Sequence, residues 1–313
     1  MTSLATPLLN PNVTFLNHRK VSLKGVKRAA YLFYQRFHYA YPGPIRDLHH
    51  RLVVVPAERY GDQQLCEHQL RVQPLSVETG SLVDAFGNRV LEFKAPSLDK
   101  EVSFEVLSSV ERVVTPGHLP LASEVEADLF LQPTDLTEAD ARMLEVVKKL
   151  QAEARTDLSL ANAINGWVYR AMRYGFGATG VRTTAAQALE VGEGLCQDYA
   201  HIMLALCRAA GLRARYVSGH MLAEGGSHAW VEVLLPKGGG AFEAFAFDPT
   251  NNRRPGLNYV TVAVGRDYRD VAPTSGSYAA PYAGELTISK QAGLVAVEYA
   301  DGRVIGDPSY VED

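Results

Sequence analysis

From Tyr31 to about Val114 the chain alternates apolar and polar residues in short runs. In Val102-Ser-Phe104-Glu-Val106 every second residue is apolar, the period of a strand with one face buried. Leu48–Val55 and Glu101–Val110 are rich in Val, Leu and Phe, and turn-forming clusters punctuate the region at Tyr41-Pro-Gly-Pro44, Glu58–Asp62, Val77–Gly80 and Phe86-Gly-Asn88. Short strands at this spacing predict an antiparallel β-sandwich over 26–114. Residues 1–25, rich in Asn, Thr and Pro, read as a flexible arm, and Pro116, Pro120 and Pro133 exclude regular helix from a linker over 115–136.

The period then changes. Thr137 is the expected N-cap of a helix carrying Met143, Val146, Val147 and Leu150. Ser159 is the expected cap of a second, with Leu160, Ile164, Trp167, Val168 and Ala171 on one face. A short helix is expected near Thr184–Leu189. Gly192-Glu-Gly194 breaks it, and Cys196 opens a further helix that stops at Gly211, its Ala200, Met203, Leu206, Cys207 and Ala210 forming one buried face. Strand-like segments follow at Ala214–Gly219, His228–Leu235 and Phe242–Phe247, joined by glycine-rich loops. The expected fold class is α+β: a sandwich, then a core of helices on an antiparallel sheet over 137–285, then a C-terminal strand or tail over 286–313.

Cys196 stands where chemistry would place a nucleophile. A helix N-terminus stabilises a thiolate through unpaired N–H groups and the local dipole, and the two glycines before it allow a sharp turn. His228 begins a strand in Ser227-His-Ala-Trp-Val-Glu232, on the same face as Trp230 and Glu232. Placed on the face that meets the Cys196 helix, it could take the thiol proton and return it to a leaving group. Asp248 ends the next strand and could hold the imidazole's tautomer and orientation. The backbone N–H of Cys196 is one expected oxyanion donor. Tyr174, Trp167 and the Gln197 side chain are alternatives for a second, although Trp167 suits core packing, and Trp230 is expected to shape the cleft. His201, five residues after Cys196, does not share its face and reads as structural.

These segments carry a resemblance. Gly192-Glu-Gly-Leu-Cys196-Gln-Asp-Tyr-Ala-His201 resembles the cysteine motif of bacterial transglutaminase-like proteins, as do Arg215-Tyr-Val-Ser-Gly219, Ser227-His-Ala-Trp-Val-Glu232 and Phe247-Asp-Pro-Thr250. Gly265-Arg-Asp-Tyr268 with Asp270-Val-Ala-Pro273 is similar to that family's C-terminal signature. Leu52-Val-Val-Val-Pro56 and Asp84-Ala-Phe-Gly-Asn88 are similar to the sandwich that precedes the core in this group. The resemblance implies a papain-like core with Cys196 as nucleophile, His228 as general acid/base and Asp248 as the orienting carboxylate. Phe245 stands where the family often has Trp. The implied partners are a peptide or amide substrate and, for acyl transfer rather than hydrolysis, an amine acceptor. A scaffold that keeps the fold without the chemistry is the alternative, and loss of a triad residue would favour it; none is lost.

Charge and cysteine usage narrow the setting. A net charge of −4 and a pI of about 6.2 offer no electrostatic reason to expect nucleic acid or an anionic membrane as partner. Cys66, Cys196 and Cys207 form no disulfide framework and no Cys-x₂₋₄-Cys metal pattern. No alternating acidic cluster suggests calcium, so no cofactor is expected. Met1–Leu16 lacks Lys and Arg and is interrupted by Pro7, Asn10, Pro11 and Asn12, unlike a secretory signal. The cytoplasm is therefore the expected compartment.

Overall fold

The computed structural model describes residues 13–114, 121–123, 127–222 and 227–306. The strands β1 (Val26–Ala40), β2 (Ile45–Val55), β3 (Arg59–Tyr60), β4 (Gln63–Gln73), β5 (Glu78–Val83), β6 (Arg89–Leu98) and β7 (Glu101–Val113) come first. Strand β8 (Leu121–Ser123) precedes helices α1 (Ala141–Glu153) and α2 (Asp157–Ala171), then β9 (Arg173–Tyr174), α3 (Ala185–Val191), β10 (Glu193–Gly194) and α4 (Cys196–Ala209). Strands β11 (Arg213–Met221), β12 (Ser227–Gly238), β13 (Ala241–Phe247) and β14 (Tyr259–Gly265) follow. The chain ends through α5 (Tyr268–Val271), β15 (Thr274–Ala279), β16 (Glu285–Tyr299) and β17 (Val304–Gly306).

One sandwich sheet runs β17-β16-β1-β7-β4-β3 and the other β15-β2-β6-β5. Phe33, Phe37, Phe93, Phe104 and Leu52 are buried together between them. The predicted strands form, but the far end of the chain completes both sheets. β16 lies antiparallel to β1 from Val26↔Tyr299 to Ala40↔Glu285. β15, from residues read as the end of the core, pairs with β2. Val77–Gly80 is not a turn: the chain reverses over 74–77 and β5 begins at Glu78. From residue 13 the N-terminal arm is docked, with Val13 and Phe15 against Ala30, Leu32 and Val295, and Leu16 N–H donating to Leu294 O at 2.8 Å.

The core sheet runs β14-β11-β12-β13-β8, so the linker region supplies an edge strand. Two helix starts differ from expectation. Asp140, not Thr137, caps α1, its carboxylate accepting from Met143 N–H at 2.9 Å. The Thr137 hydroxyl is taken by the buried Arg208, which donates to it at 2.6 Å. Thr156 caps α2, and Ser159 is the third helical residue that completes its capping box. α4 is also buried all round from Asp198 to Arg208 rather than on one face. The sheet covers one side, and α1, α2 and α3 cover the rest.

The sandwich is keyed to the core by polar pairs that imitate strand bonding. The Gln63 amide donates to Thr261 O at 2.7 Å and accepts from Thr261 N–H at 2.9 Å. The Asn88 amide does the same for Val264, at 2.7 and 2.8 Å. Both satisfy the exposed backbone of β14, an edge strand that would otherwise carry unpaired groups. Behind them lies a buried ion pair, Arg215 to Glu232 at 2.7 Å, capped by Tyr60 O–H, which donates to Glu232 at 2.6 Å. Among the described residues no helix is long and apolar enough to cross a membrane.

Removing one member of that pair strands the other charge away from water. Glu232→Ala should therefore lower folding stability by about 3–5 kcal/mol, and Arg215→Met with Glu232→Met should recover most of the loss. Urea midpoints of the three proteins test this; a double variant no better than the single one would contradict it.

Candidate active site

Cys196 is the first residue of α4, and three devices set it there. Gly192 ends α3 at φ +70°, a left-handed conformation that glycine adopts without penalty. Gly194 has no room for a side chain, because a Cβ would come within 2.5 Å of the Asp198 carboxylate. That carboxylate accepts from Leu195 N–H at 2.8 Å and from the Thr179 hydroxyl at 2.7 Å. Asp198 is buried, and burial raises its pKa against the opposing pull of these hydrogen bonds. It thus holds the N-terminus of α4 in place of a cap from Leu195. Its signal in the sequence is a local one, an acid at the third position of a helix.

His228 and Asp248 are both buried and joined, Nε2 to Oδ2, at 2.9 Å. The carboxylate also accepts from Tyr259 O–H at 2.5 Å, the Asn251 amide at 2.8 Å, Thr250 N–H at 3.0 Å and Asn251 N–H at 3.2 Å. Burial raises its pKa, but the His228 contact and the other hydrogen bonds outweigh that, so the pKa lies below the usual carboxylate value. A charged carboxylate can only accept, so Nε2 carries the proton and the lone pair of the neutral ring is at Nδ1. Tyr259 and Asn251 carry no local sequence signal that points to this role. Asn251 lies in the turn after Asp248, and Tyr259 is brought to it only by the pairing of β14 with β11.

The face of β12 differs from expectation. Ala229, Val231 and Val233 are buried with the apolar residues of α4. Trp230 belongs to the opposite layer with Val217, Met221, Ala246, Tyr259 and Val264, and the His228 ring stacks on it at 6.3 Å. His228 therefore shares the face turned from α4, yet at the end of the strand it lines the same cavity as Cys196, about 640 Å³ in volume. Tyr174 and Gln197 line that cavity too. Trp230 does not: at 1% exposure it supports the imidazole from below rather than shaping the cleft. Trp167 packs on the core cluster. A larger opening, about 1150 Å³, lies at one end of the sandwich near Arg36, Leu75 and Lys100; no cysteine lines it.

A half-buried thiol at a helix start and a hydrogen-bonded imidazole–carboxylate pair in one cavity form a set that can generate a thiolate and shuttle its proton. Nearby, His201 is fully buried, and its Nε2 accepts from Tyr268 N–H at 3.2 Å, tying α4 to α5.

The model of the transglutaminase-like superfamily matches residues 145–244, and that of the bacterial transglutaminase-like N-terminal region matches 31–111. The uncharacterized Mycobacterium leprae protein ML0607 is 32% identical over 223 residues, 67% of this chain and 77% of that protein. The uncharacterized Mycobacterium tuberculosis protein Rv2569c is 27% identical over 243 residues, 68% of this chain and 76% of its own. A crystal structure of a candidate cysteine protease from Cytophaga hutchinsonii superposes with a TM-score of 0.70 at 22% identity, covering 85% of this chain and 91% of that one. That likeness establishes the shared fold.

Burial, aided by Arg208 and Arg269, lowers the His201 pKa to about 3. In the unfolded chain histidine binds its proton near pH 6.5. Between those values the unfolded state holds more protons, so stability should fall as pH drops below about 6.5, by about 1.4 kcal/mol per pH unit for each such group. His201→Gln should flatten this slope. His50, lowered to about 4 by burial, should keep part of it. Urea midpoints from pH 7 to 4 check the prediction; an unchanged slope would count against it.

Proposed function

The chain belongs to the transglutaminase-like superfamily, and from that premise we propose that it is a cysteine enzyme acting on amide bonds. The observation that carries the reading is the shared cavity of Cys196 and the His228–Asp248 pair. His228 Nδ1 takes the thiol proton, and the sulfur attacks the amide carbonyl carbon. Backbone N–H groups at the start of α4 face the developing oxyanion, with Gln197 or Tyr174 as the second donor. As the C–N bond breaks, His228 returns the proton to the departing amine and a thioester to Cys196 remains. Water then releases an acid, or an amine accepts the acyl group. The open cavity favours water, which makes peptidase or amidase the preferred outcome. The nucleophile must stay reduced, which suits the cytoplasm.

A non-catalytic scaffold gives no reason to hold a buried carboxylate ionised against an imidazole that shares a cavity with a thiol.

Alkylation by iodoacetamide at neutral pH tests the reading with an internal standard. Burial pushes the Cys66 thiol up to about 11 and Cys207 up to about 12. Cys196 should label at least about tenfold faster than either. His228→Ala should bring it down toward them while the chain stays folded, as far-UV circular dichroism checks, although the stranded Asp248 carboxylate should lower its thermal midpoint. Equal slow labelling of all three cysteines in the natural protein would reject the proposal.

A further inference from the structure

The cavity has a second wall, supplied by the sandwich. Phe37 of β1 and Ile288 and Lys290 of β16 line it together with Cys196. Ile288 and Lys290 are two residues apart and so share a strand face, with Ile288 directly across from Phe37 in the ladder. Ile288 is 44% exposed and Phe37 is buried, so this wall is apolar around one cation.

Lys290 donates to the Ser227 hydroxyl at 3.2 Å, and Ser227 is the residue before His228. Its ammonium lies 5.9 Å from the centre of the Phe37 ring. Among the described residues that line the cavity it is the one Lys, Arg, Asp or Glu. Burial lowers its pKa, and among the described residues no carboxylate acts on it. A cation drawn partly out of water against apolar side chains, with the neutral Ser227 hydroxyl as its acceptor among the described residues, gains from an anion that enters with the ligand. With a net charge of −4 the chain as a whole does not draw anions in, so any such preference is local to this wall.

We propose that Lys290 is a specificity residue that binds a carboxylate carried by the amide substrate close to the bond Cys196 attacks. The inference rests on the cysteine-enzyme reading and deepens it by naming the substrate class: acidic peptides or amides. It also assigns the sandwich a role, because strand β16 delivers the cation to the site. Two sources can present the carboxylate, a free chain terminus or an Asp or Glu side chain.

Two alkylating reagents of nearly equal size test it. Iodoacetate carries a carboxylate where iodoacetamide carries a neutral amide, and the ratio of their rates at Cys196 cancels any change in the thiolate itself. Lys290→Gln should lower the iodoacetate-to-iodoacetamide ratio by roughly threefold to tenfold, as expected for losing one charge a few ångströms away, and Lys290→Arg should keep it. Brisk labelling of Cys196 by iodoacetamide with the same ratio in the natural protein and Lys290→Gln would overturn the role of Lys290 alone. Slow labelling by both reagents would bring down the enzyme reading and this inference with it. Protection of Cys196 by N-acetylated tripeptides then separates the sources. Protection by a C-terminal acid over its amide assigns the chain terminus; protection by an amidated peptide with internal Glu over Gln assigns the side chain. Either preference should vanish in Lys290→Gln, and equal protection by all four peptides would refute the proposal.

Discussion

The site turns on a carboxylate that has no contact with water. Asp248 is fully buried, and an ionised group there persists only if hydrogen bonds replace its lost hydration. Five donors do so: the His228 ring, the Tyr259 hydroxyl, the Asn251 amide and two backbone N–H groups of the turn after β13. His228 gains its orientation and tautomer from the same contact. The carboxylate is therefore both costly to bury and the group that gives the imidazole a direction.

That requirement spreads outward through the fold. Tyr259 reaches Asp248 because it opens β14, which pairs with β11 at the edge of the core sheet. β14 is held from its other side by Gln63 and Asn88, and Arg112 donates to Tyr259 O at 2.8 Å while paired with Asp62. All of those side chains come from the sandwich. The two parts also share their apolar layers: Val53 and Val90 of the sandwich are buried with the helices, and Leu222 and Val260 of the core are buried within the sandwich. The sandwich thus supports the imidazole–carboxylate pair from behind while β16 forms a wall of the cavity in front. A separate, loosely tethered domain would do neither.

Much of this was legible in local chemistry. The break at Gly192, the helix opening on Cys196 and the strands carrying His228 and Asp248 follow from short-range rules of glycine, capping and alternation. Where two local signals competed, the longer-range partner decided. Thr137 looked like a cap, but its hydroxyl serves Arg208, leaving Asp140 to start α1. α4 showed an apolar stripe, but three helices close over its polar side, so His201 and Arg208 are buried with partners rather than solvated.

The sequence by itself determined the kinds of element, the order of thiol, imidazole and carboxylate along the chain, and the family to which they belong. Each depends on neighbours within a few residues or on a motif read in line. Only the tertiary structure decided which face of β12 carries His228, that Trp230 lies beneath that ring, that Tyr259 completes the shell of Asp248, and that a strand from the C-terminal end brings Lys290 beside Ser227. The Tyr259–Asp248 and Lys290–Ser227 contacts join residues 11 and 63 positions apart, and even the near neighbours His228 and Trp230 take their surroundings from the sheet. Alternation specifies that a side chain has a face but not what the face meets, because the pairing of strands is settled by burial summed over whole sheets.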